Sequence, residues 1–145
     1  MSNNSNAIWE MMRIKAAENY VPFHGHFELT PRCNLNCKMC YIHLSNDQMK
    51  GVQEISLEEW MEIIDDAVEN GMVFASLTGG ECLTYPHFKE IFLHLQDKGV
   101  FVTVLTNGVL LDTMVDFFVT HPPKLINSQR DDISSQKYGA SYFTF

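Results

Sequence analysis

The sequence predicts an α/β fold: a parallel sheet of about four strands with crossover helices. Two short apolar runs, 72–78 and 100–106, are typical of strands buried on both faces. They alternate with segments in which apolar residues recur at helical spacing. The resulting order β-α-β-α-β-α-β, with short connections, favours parallel strands joined by right-handed crossovers.

The N-terminal third is predicted to hold one helix, one strand and a long loop. The segment from Ile8 to Asn19 reads as a short helix that Pro22 ends. The alternating run 24–30 predicts a strand. Residues 31–55, which we call the cysteine loop, contain Pro31, three cysteines, three asparagines, Asp47 and Gly51, and they predict an irregular connection with room for one helical turn.

The rest of the chain is predicted to alternate regularly. Ser56 and Glu59 form a capping box that begins a helix, and Gly71 ends that helix. Pro86 is expected at the first position of the next helix. The further predicted elements are a strand at 72–78, a helix ending at 98–99, a strand at 100–106, a helix at 110–121 and the start of a strand at 124–126.

Length and composition restrict the class of protein. The 145 residues suffice for one ordinary domain, and 46% hydrophobic with 19% charged residues is typical of a packed chain. The formal net charge of −8 disfavours nucleic acid as a partner, because phosphate backbones repel an acidic surface. The N-terminus does not resemble a secretory signal, and the longest apolar stretch is too short to cross a bilayer. We therefore expect a cytoplasmic protein with no membrane partner.

Three cysteines carry the strongest chemical signal. Cys33, Cys37 and Cys40 have the spacing C-x-x-x-C-x-x-C, which is too clustered for a disulfide scaffold and indicates metal or redox chemistry. Thiolates suit iron–sulfur clusters and zinc. A [4Fe–4S] cluster usually takes four cysteines, so three would leave one iron open. The alternative is zinc, with His43 as a fourth ligand. Cys82 is expected to be a small buried residue.

Two polar turns follow the predicted buried strands. Gly79-Gly80-Glu81 comes after the second strand, and Thr106-Asn107-Gly108 after the third. The carboxyl ends of parallel strands meet at one edge of a sheet, where such folds bind their ligands. These turns and the cysteine loop are therefore expected to converge.

The segments TPRCNLNCKMCY, LTGGEC and VLTNGVLL together resemble the radical S-adenosylmethionine (radical SAM) superfamily. The resemblance is closest to the branch that modifies peptides and proteins and includes the sulfatase-maturing enzymes. It runs from Phe23 to Ile126 and implies the N-terminal half of a partial (βα)6 barrel. The metal ligands that it implies are Cys33, Cys37 and Cys40. The residues that it implies for binding S-adenosylmethionine are Met39, Gly79, Gly80, Glu81, Thr106 and Asn107.

The same resemblance implies roles and a reaction. Met39 would lie against the adenine, and the Gly79–Glu81 segment would receive the methionine ammonium. The reduced cluster would cleave S-adenosylmethionine to a 5′-deoxyadenosyl radical, which takes a hydrogen atom from a peptide or protein substrate. A flavodoxin or ferredoxin would donate the electron. No catalytic residue is assigned, and a non-catalytic metal-binding module is the alternative function.

The expected division is an N-terminal helical extension at 1–22, a partial core domain at 23–126 and an irregular or poorly ordered tail at 127–145. The family core has six βα units, whereas this sequence has three and the start of a fourth. We therefore expect a truncated core with impaired activity, and the sequence leaves open whether the chain is an enzyme.

Overall fold

The computed structural model describes residues 3–38, 40–42, 44, 46–128 and 141–143. Within these residues the centre is a five-stranded sheet in the order β1-β2-β3-β4-β5. The strands are β1 His24–Glu28, β2 Phe74–Thr78, β3 Phe101–Thr106, β4 Leu125–Ser128 and β5 Ser141–Phe143. The helices are α1 Asn3–Glu18, α2 Asn46–Met49, α3 Leu57–Glu69, α4 Phe88–Asp97 and α5 Val115–Thr120, with 3₁₀ turns at Cys82–Thr84 and Leu111–Met114.

The parallel sheet is confirmed for the first four strands. β1 pairs with β2, β2 with β3 and β3 with β4, all in parallel. The fifth strand was not predicted: β5 pairs antiparallel with β4, and it lies in the segment expected to be irregular. β4 also runs to Ser128, beyond the expected boundary at Ile126. Residues 129–140 lie outside the described residues, and the division into three segments stays a prediction.

One face of the sheet forms the core. Phe27, Leu77, Val104 and Ile126 lie in one cross-strand row, and all four are buried. The apolar stripes of α3, α4 and α5 cover this face, as their periodicity predicts. The largest of these helical side chains in the core are Trp60, Ile64, Phe88, Ile91, Phe92, Leu95 and Phe118.

The ends of three helices show where local signals succeed and fail. The capping box of α3 is confirmed, because Ser56 Oγ accepts from the Glu59 amide and the Glu59 carboxylate accepts from the Ser56 amide. The expected start of the next helix is wrong: α4 begins at Phe88, and Pro86 lies in the turn before it. The helix expected at 110–121 is divided into the 3₁₀ turn Leu111–Met114 and α5. The Thr113 amide donates to Leu110 O, three residues back, as in a 3₁₀ turn, and the Thr113 hydroxyl donates to the same carbonyl.

The described helices include none long and apolar enough to span a membrane.

Candidate functional site

The cysteine loop leaves β1 in close contact with the end of β2. The Gly80 amide donates to Thr30 O at 2.7 Å, and the Glu81 amide donates to Arg32 O at 2.8 Å. A Cβ on Gly79 would lie 2.4 Å from Thr30 O, and one on Gly80 would lie 2.4 Å from Arg32 O. The two glycines therefore allow the two backbone segments to touch.

The far end of the cysteine loop is held by Glu54, a residue that the sequence reasoning missed. Its carboxylate accepts from the Thr30 hydroxyl and, at 3.1 Å, from Arg32 Nε. The next residue, Ile55, accepts from the Tyr85 hydroxyl through its carbonyl at 2.7 Å. Burial and the nearby Glu54 carboxylate raise the pKa of Tyr85, so this hydroxyl stays a donor. The loop is thus fixed at both ends.

A cavity of about 460 Å³, which we call the strand-end cavity, opens between the cysteine loop and the sheet. It lies at the carboxyl ends of the parallel strands, where this class of fold binds ligands. Its wall brings together most of the residues singled out by the sequence, namely Cys33, Cys37, Cys40, Gly79, Gly80, Thr106 and Asn107. The expected convergence of the three sequence signals on one edge is therefore observed.

The three loop thiols suit a soft metal centre by their chemistry. Cys33 and Cys40 are exposed, Cys37 is half-buried, and none of the three forms a disulfide. Among the described residues, however, no group of three or more Cys, His, Asp or Glu side chains is arranged so that it could hold a metal ion. Three thiols around one cavity match the donor set of an iron–sulfur cluster. Met39 and His43 lie outside the described residues. The expected contact of Met39 with the adenine and the alternative role of His43 as a fourth zinc ligand therefore stay predictions.

Cys82 is buried, as expected, and does not line the strand-end cavity. Its Sγ donates to Leu105 O at 3.3 Å. Burial, with the neighbouring Glu81 carboxylate, raises the pKa of this thiol well above its usual range. Because the thiolate is the form that binds metals, Cys82 is a poor ligand.

Glu81 lies behind the cavity wall and not in it. Its side chain is 1% exposed, and its carboxylate accepts from Leu83 N at 3.1 Å, from Thr106 Oγ1 at 2.8 Å and from Asn107 N at 2.7 Å. These bonds tie the end of β2 to the end of β3. The expected contact between Glu81 and a methionine ammonium stays a prediction.

Asn107 connects the end of β3 to the cysteine loop. Its Nδ2 donates to Asn34 Oδ1 at 2.7 Å and to Cys33 Sγ at 3.7 Å. Its Oδ1 accepts from Val109 N at 3.0 Å, which fixes the side-chain amide in one orientation. An expected cavity residue is thereby in direct contact with an expected metal ligand.

Asn127, near the end of β4, is a cavity residue that the sequence reasoning missed. Its Oδ1 is buried and has no hydrogen-bond partner among the described residues. A buried acceptor without a partner is costly, so this atom is suited to a ligand donor. Strand alternation could have found it, because Ile126 faces the core and its neighbour must face the other way.

Comparison with known proteins decides the family. The family model for the Radical SAM superfamily matches residues 27–129. This chain belongs to the radical SAM superfamily. Members of this superfamily bind a [4Fe–4S] cluster and S-adenosylmethionine, the cofactors that the sequence predicted.

Several curated relatives of this radical SAM chain are peptide-modifying enzymes. It is 36% identical over 107 residues to the antilisterial bacteriocin subtilosin biosynthesis protein AlbA of Bacillus subtilis (strain 168), covering 73% of this chain and 23% of AlbA. It is 34% identical over 85 residues to a PqqA peptide cyclase of Granulibacter bethesdensis, covering 59% of this chain and 22% of the cyclase. The chain thus spans about a quarter of the length of these relatives.

Solved structures show the same fold. Streptococcus suis SuiB bound to S-adenosylmethionine superposes with a TM-score of 0.51 at 18% identity, covering 76% of this chain and 25% of SuiB. SuiB bound to precursor peptide SuiA gives a TM-score of 0.53 at 22% identity, covering 76% of this chain and 26% of SuiB. The likeness confirms that the sheet and its helices have the fold of the matching part of SuiB.

Proposed function

We propose that this chain binds a [4Fe–4S] cluster through Cys33, Cys37 and Cys40 and holds S-adenosylmethionine in the strand-end cavity. When bound, these groups supply a 5′-deoxyadenosyl radical by reductive cleavage of S-adenosylmethionine. The observation that carries the proposal is that all three thiols share one cavity wall with the turns after β2 and β3. Three ligands per cluster would leave an iron open to a further ligand, as a reactive metal site requires.

The cavity wall supports the placement of S-adenosylmethionine. A volume of about 460 Å³ is within the range of small-molecule sites. Gly79 and Gly80 leave the wall without side chains, while Thr106, Asn107 and the buried Asn127 Oδ1 supply polar groups. Met39, which is outside the described residues, is proposed to cover the adenine.

We further propose a peptide or protein as the substrate. This rests on the similarity to AlbA, to the PqqA peptide cyclase and to SuiB, whose structure with precursor peptide SuiA is known. The reaction needs one electron for each cleavage, so the proposal includes a flavodoxin or ferredoxin as donor. A cytoplasmic location belongs with it, because exposed thiols stay reduced there. The absence of a nucleic-acid partner stays a prediction.

The proposal is tested by anaerobic reconstitution of the chain with iron and sulfide. We expect about four irons per chain and the brown colour of a [4Fe–4S] cluster. Replacing Cys33, Cys37 or Cys40 by alanine should abolish stable cluster binding. The matched control is Cys82→Ala, which should keep the iron, because the buried thiol does not line the cavity. Addition of S-adenosylmethionine and a strong reductant should then release 5′-deoxyadenosine, in the low yield that the expected impairment of activity predicts.

Two results would contradict this proposal. A colourless protein with one zinc per chain would favour the alternative, a non-catalytic metal-binding module. Iron content that is unchanged in all three alanine variants would show that the loop cysteines are not the ligands.

A further inference from the structure

The Glu81 side chain is buried beside the strand-end cavity without entering it. Burial of a carboxyl group is costly unless hydrogen bonds compensate for the lost water. Here compensation comes mainly from three donors of the chain itself, two backbone amides and the Thr106 hydroxyl, with the Cys82 thiol a longer contact at 3.9 Å. The carboxylate therefore serves to connect the end of β2 to the end of β3 within the protein.

The bond from Asn107 N to Glu81 Oε2 is the shortest of the three, at 2.7 Å. It holds the backbone from which the Asn107 side chain reaches Asn34 Oδ1 and Cys33 Sγ. Glu81 is thus two hydrogen bonds from the first cysteine of the loop. The Glu81 backbone amide also donates to Arg32 O, next to Cys33. Glu81 therefore restrains this part of the cysteine loop in two ways, directly through its amide and indirectly through Asn107.

We propose that Glu81 is a positioning residue, which fixes Asn107 and through it the place of Cys33 in the cysteine loop. The part of this inference that concerns a bound cluster rests on the proposed function. The link between Glu81 and Asn107 can be tested without any cofactor. An amide that donates to a cysteine sulfur stabilises added negative charge on a cluster and raises its reduction potential. Loss of the Asn107 amide should therefore lower that potential.

The first experiment uses hydrogen exchange of the metal-free chain. Glu81→Gln keeps the shape and one acceptor oxygen, which can retain the two donors of Oε1, Leu83 N and Thr106 Oγ1. The amide nitrogen then replaces Oε2 and cannot accept from Asn107 N. Exchange of the Asn107 amide should become about tenfold faster, as expected for a lost hydrogen bond to a charged group. The matched control is Asp65→Asn, which removes a carboxylate between α3 and α4 and should leave Asn107 unchanged. Equal protection of Asn107 in wild type and Glu81→Gln would overturn the inference.

The second experiment compares the reduction potential and the electron paramagnetic resonance spectrum of reconstituted proteins. Asn107→Ala should lower the potential, because the amide donor to Cys33 Sγ is lost. Glu81→Gln also removes a negative charge, which by itself raises the potential, so its action through Asn107 is the difference between its shift in the wild-type background and its shift in the Asn107→Ala background. Additive shifts, or no shift in Asn107→Ala, would overturn the inference. If Glu81→Gln fails to fold, Glu81→Asp, which keeps the charge but shortens the reach towards Asn107 N, replaces it in both experiments. If the wild type takes up no iron, the proposed function fails. Hydrogen exchange of the metal-free chain still tests the link between Glu81 and Asn107.

Discussion

At the scale of the residue, Gly80 is glycine because the backbone of the cysteine loop passes directly against it. The nearest neighbours of the missing Cβ are backbone atoms of Pro31 and Arg32. Backbone atoms cannot move aside as the end of a flexible side chain can. Gly80 therefore determines how closely the cysteine loop approaches β2, in addition to lining the cavity.

Gly80→Ala should lower the free energy of unfolding by about 1–3 kcal/mol, the usual cost of overpacking. The added Cβ would lie 2.4 Å from Arg32 O, so the loop would have to shift. The control is Gly51→Ala in the same loop, where the nearest atom is 4.0 Å away, and its effect should stay within about 0.5 kcal/mol. Urea unfolding measures both. Equal stability of the two variants would show that the close approach is not maintained in solution.

The candidate site was predictable from sequence only where its signals are local. The spacing of Cys33, Cys37 and Cys40 is visible along the chain, and the structure places all three around one cavity. Glu54 carries no such signal, and for Asn127 the only local signal is the strand alternation after Ile126. Their partners or neighbours at the site lie far away in the chain, as the contact of Glu54 with Thr30 shows.

At the scale of the element, α3 and α4 are joined at the surface by Asp65. Its Oδ1 accepts from Lys98 Nζ at 2.9 Å and from His94 Nε2 at 2.6 Å. The hydrogen bond with Lys98, followed by that with His94, lowers the pKa of Asp65 below its ordinary value. The folded state therefore favours the ionised carboxylate more than the unfolded chain does.

A lowered pKa in the folded state adds stability above the unfolded-state pKa, and this contribution is lost as the pH falls through the folded-state value. Asp65→Asn should therefore be less stable than wild type at neutral pH, and the difference should shrink below about pH 4. The control is Glu62→Gln on the same helix, since Glu62 forms no ion pair with a described residue. Chemical unfolding between neutral and acid pH checks this. A difference that does not change with pH would show that the Asp65 interactions do not act through charge.

The helices also show which element boundaries can be read from sequence. The start of α3 was predicted because its signal, the capping box of Ser56 and Glu59, lies within four consecutive residues. The divided helix after β3 was not, because Leu110 to Thr120 has helical periodicity throughout. Only the backbone hydrogen bonds distinguish a 3₁₀ turn from an α-helix at this point.

At the scale of the whole molecule, the two faces of the sheet are covered differently. Helices α3, α4 and α5 bury one face, while on the other Trp9 of α1 contacts Phe23 and Phe74. The Trp9 and Phe74 rings meet edge to face, with centroids 4.5 Å apart. This aromatic contact joins α1 to the amino-terminal end of β2, opposite the strand-end cavity.

Trp9→Ala should lower the free energy of unfolding by about 1–3 kcal/mol, less than for a fully buried tryptophan, because this side chain is 37% exposed. Tyr20→Ala is the control, since Tyr20 is 95% exposed and should contribute little. Thermal unfolding, with tryptophan fluorescence for Tyr20→Ala and circular dichroism for both, checks this. Equal midpoints for the two variants would indicate that α1 does not pack on the sheet in solution.

The sequence by itself determined the α/β class, the parallel order of four strands and the convergence of three motifs on one edge. Periodicity, caps and cysteine spacing are properties of neighbouring residues, so they can be read along the chain. Only the tertiary structure decided that the carboxylate of Glu81 faces Asn107 and that Asn127 Oδ1 is left without a partner among the described residues. Both depend on strands that the fold brings side by side, because a buried polar group finds its partners in space and not in sequence.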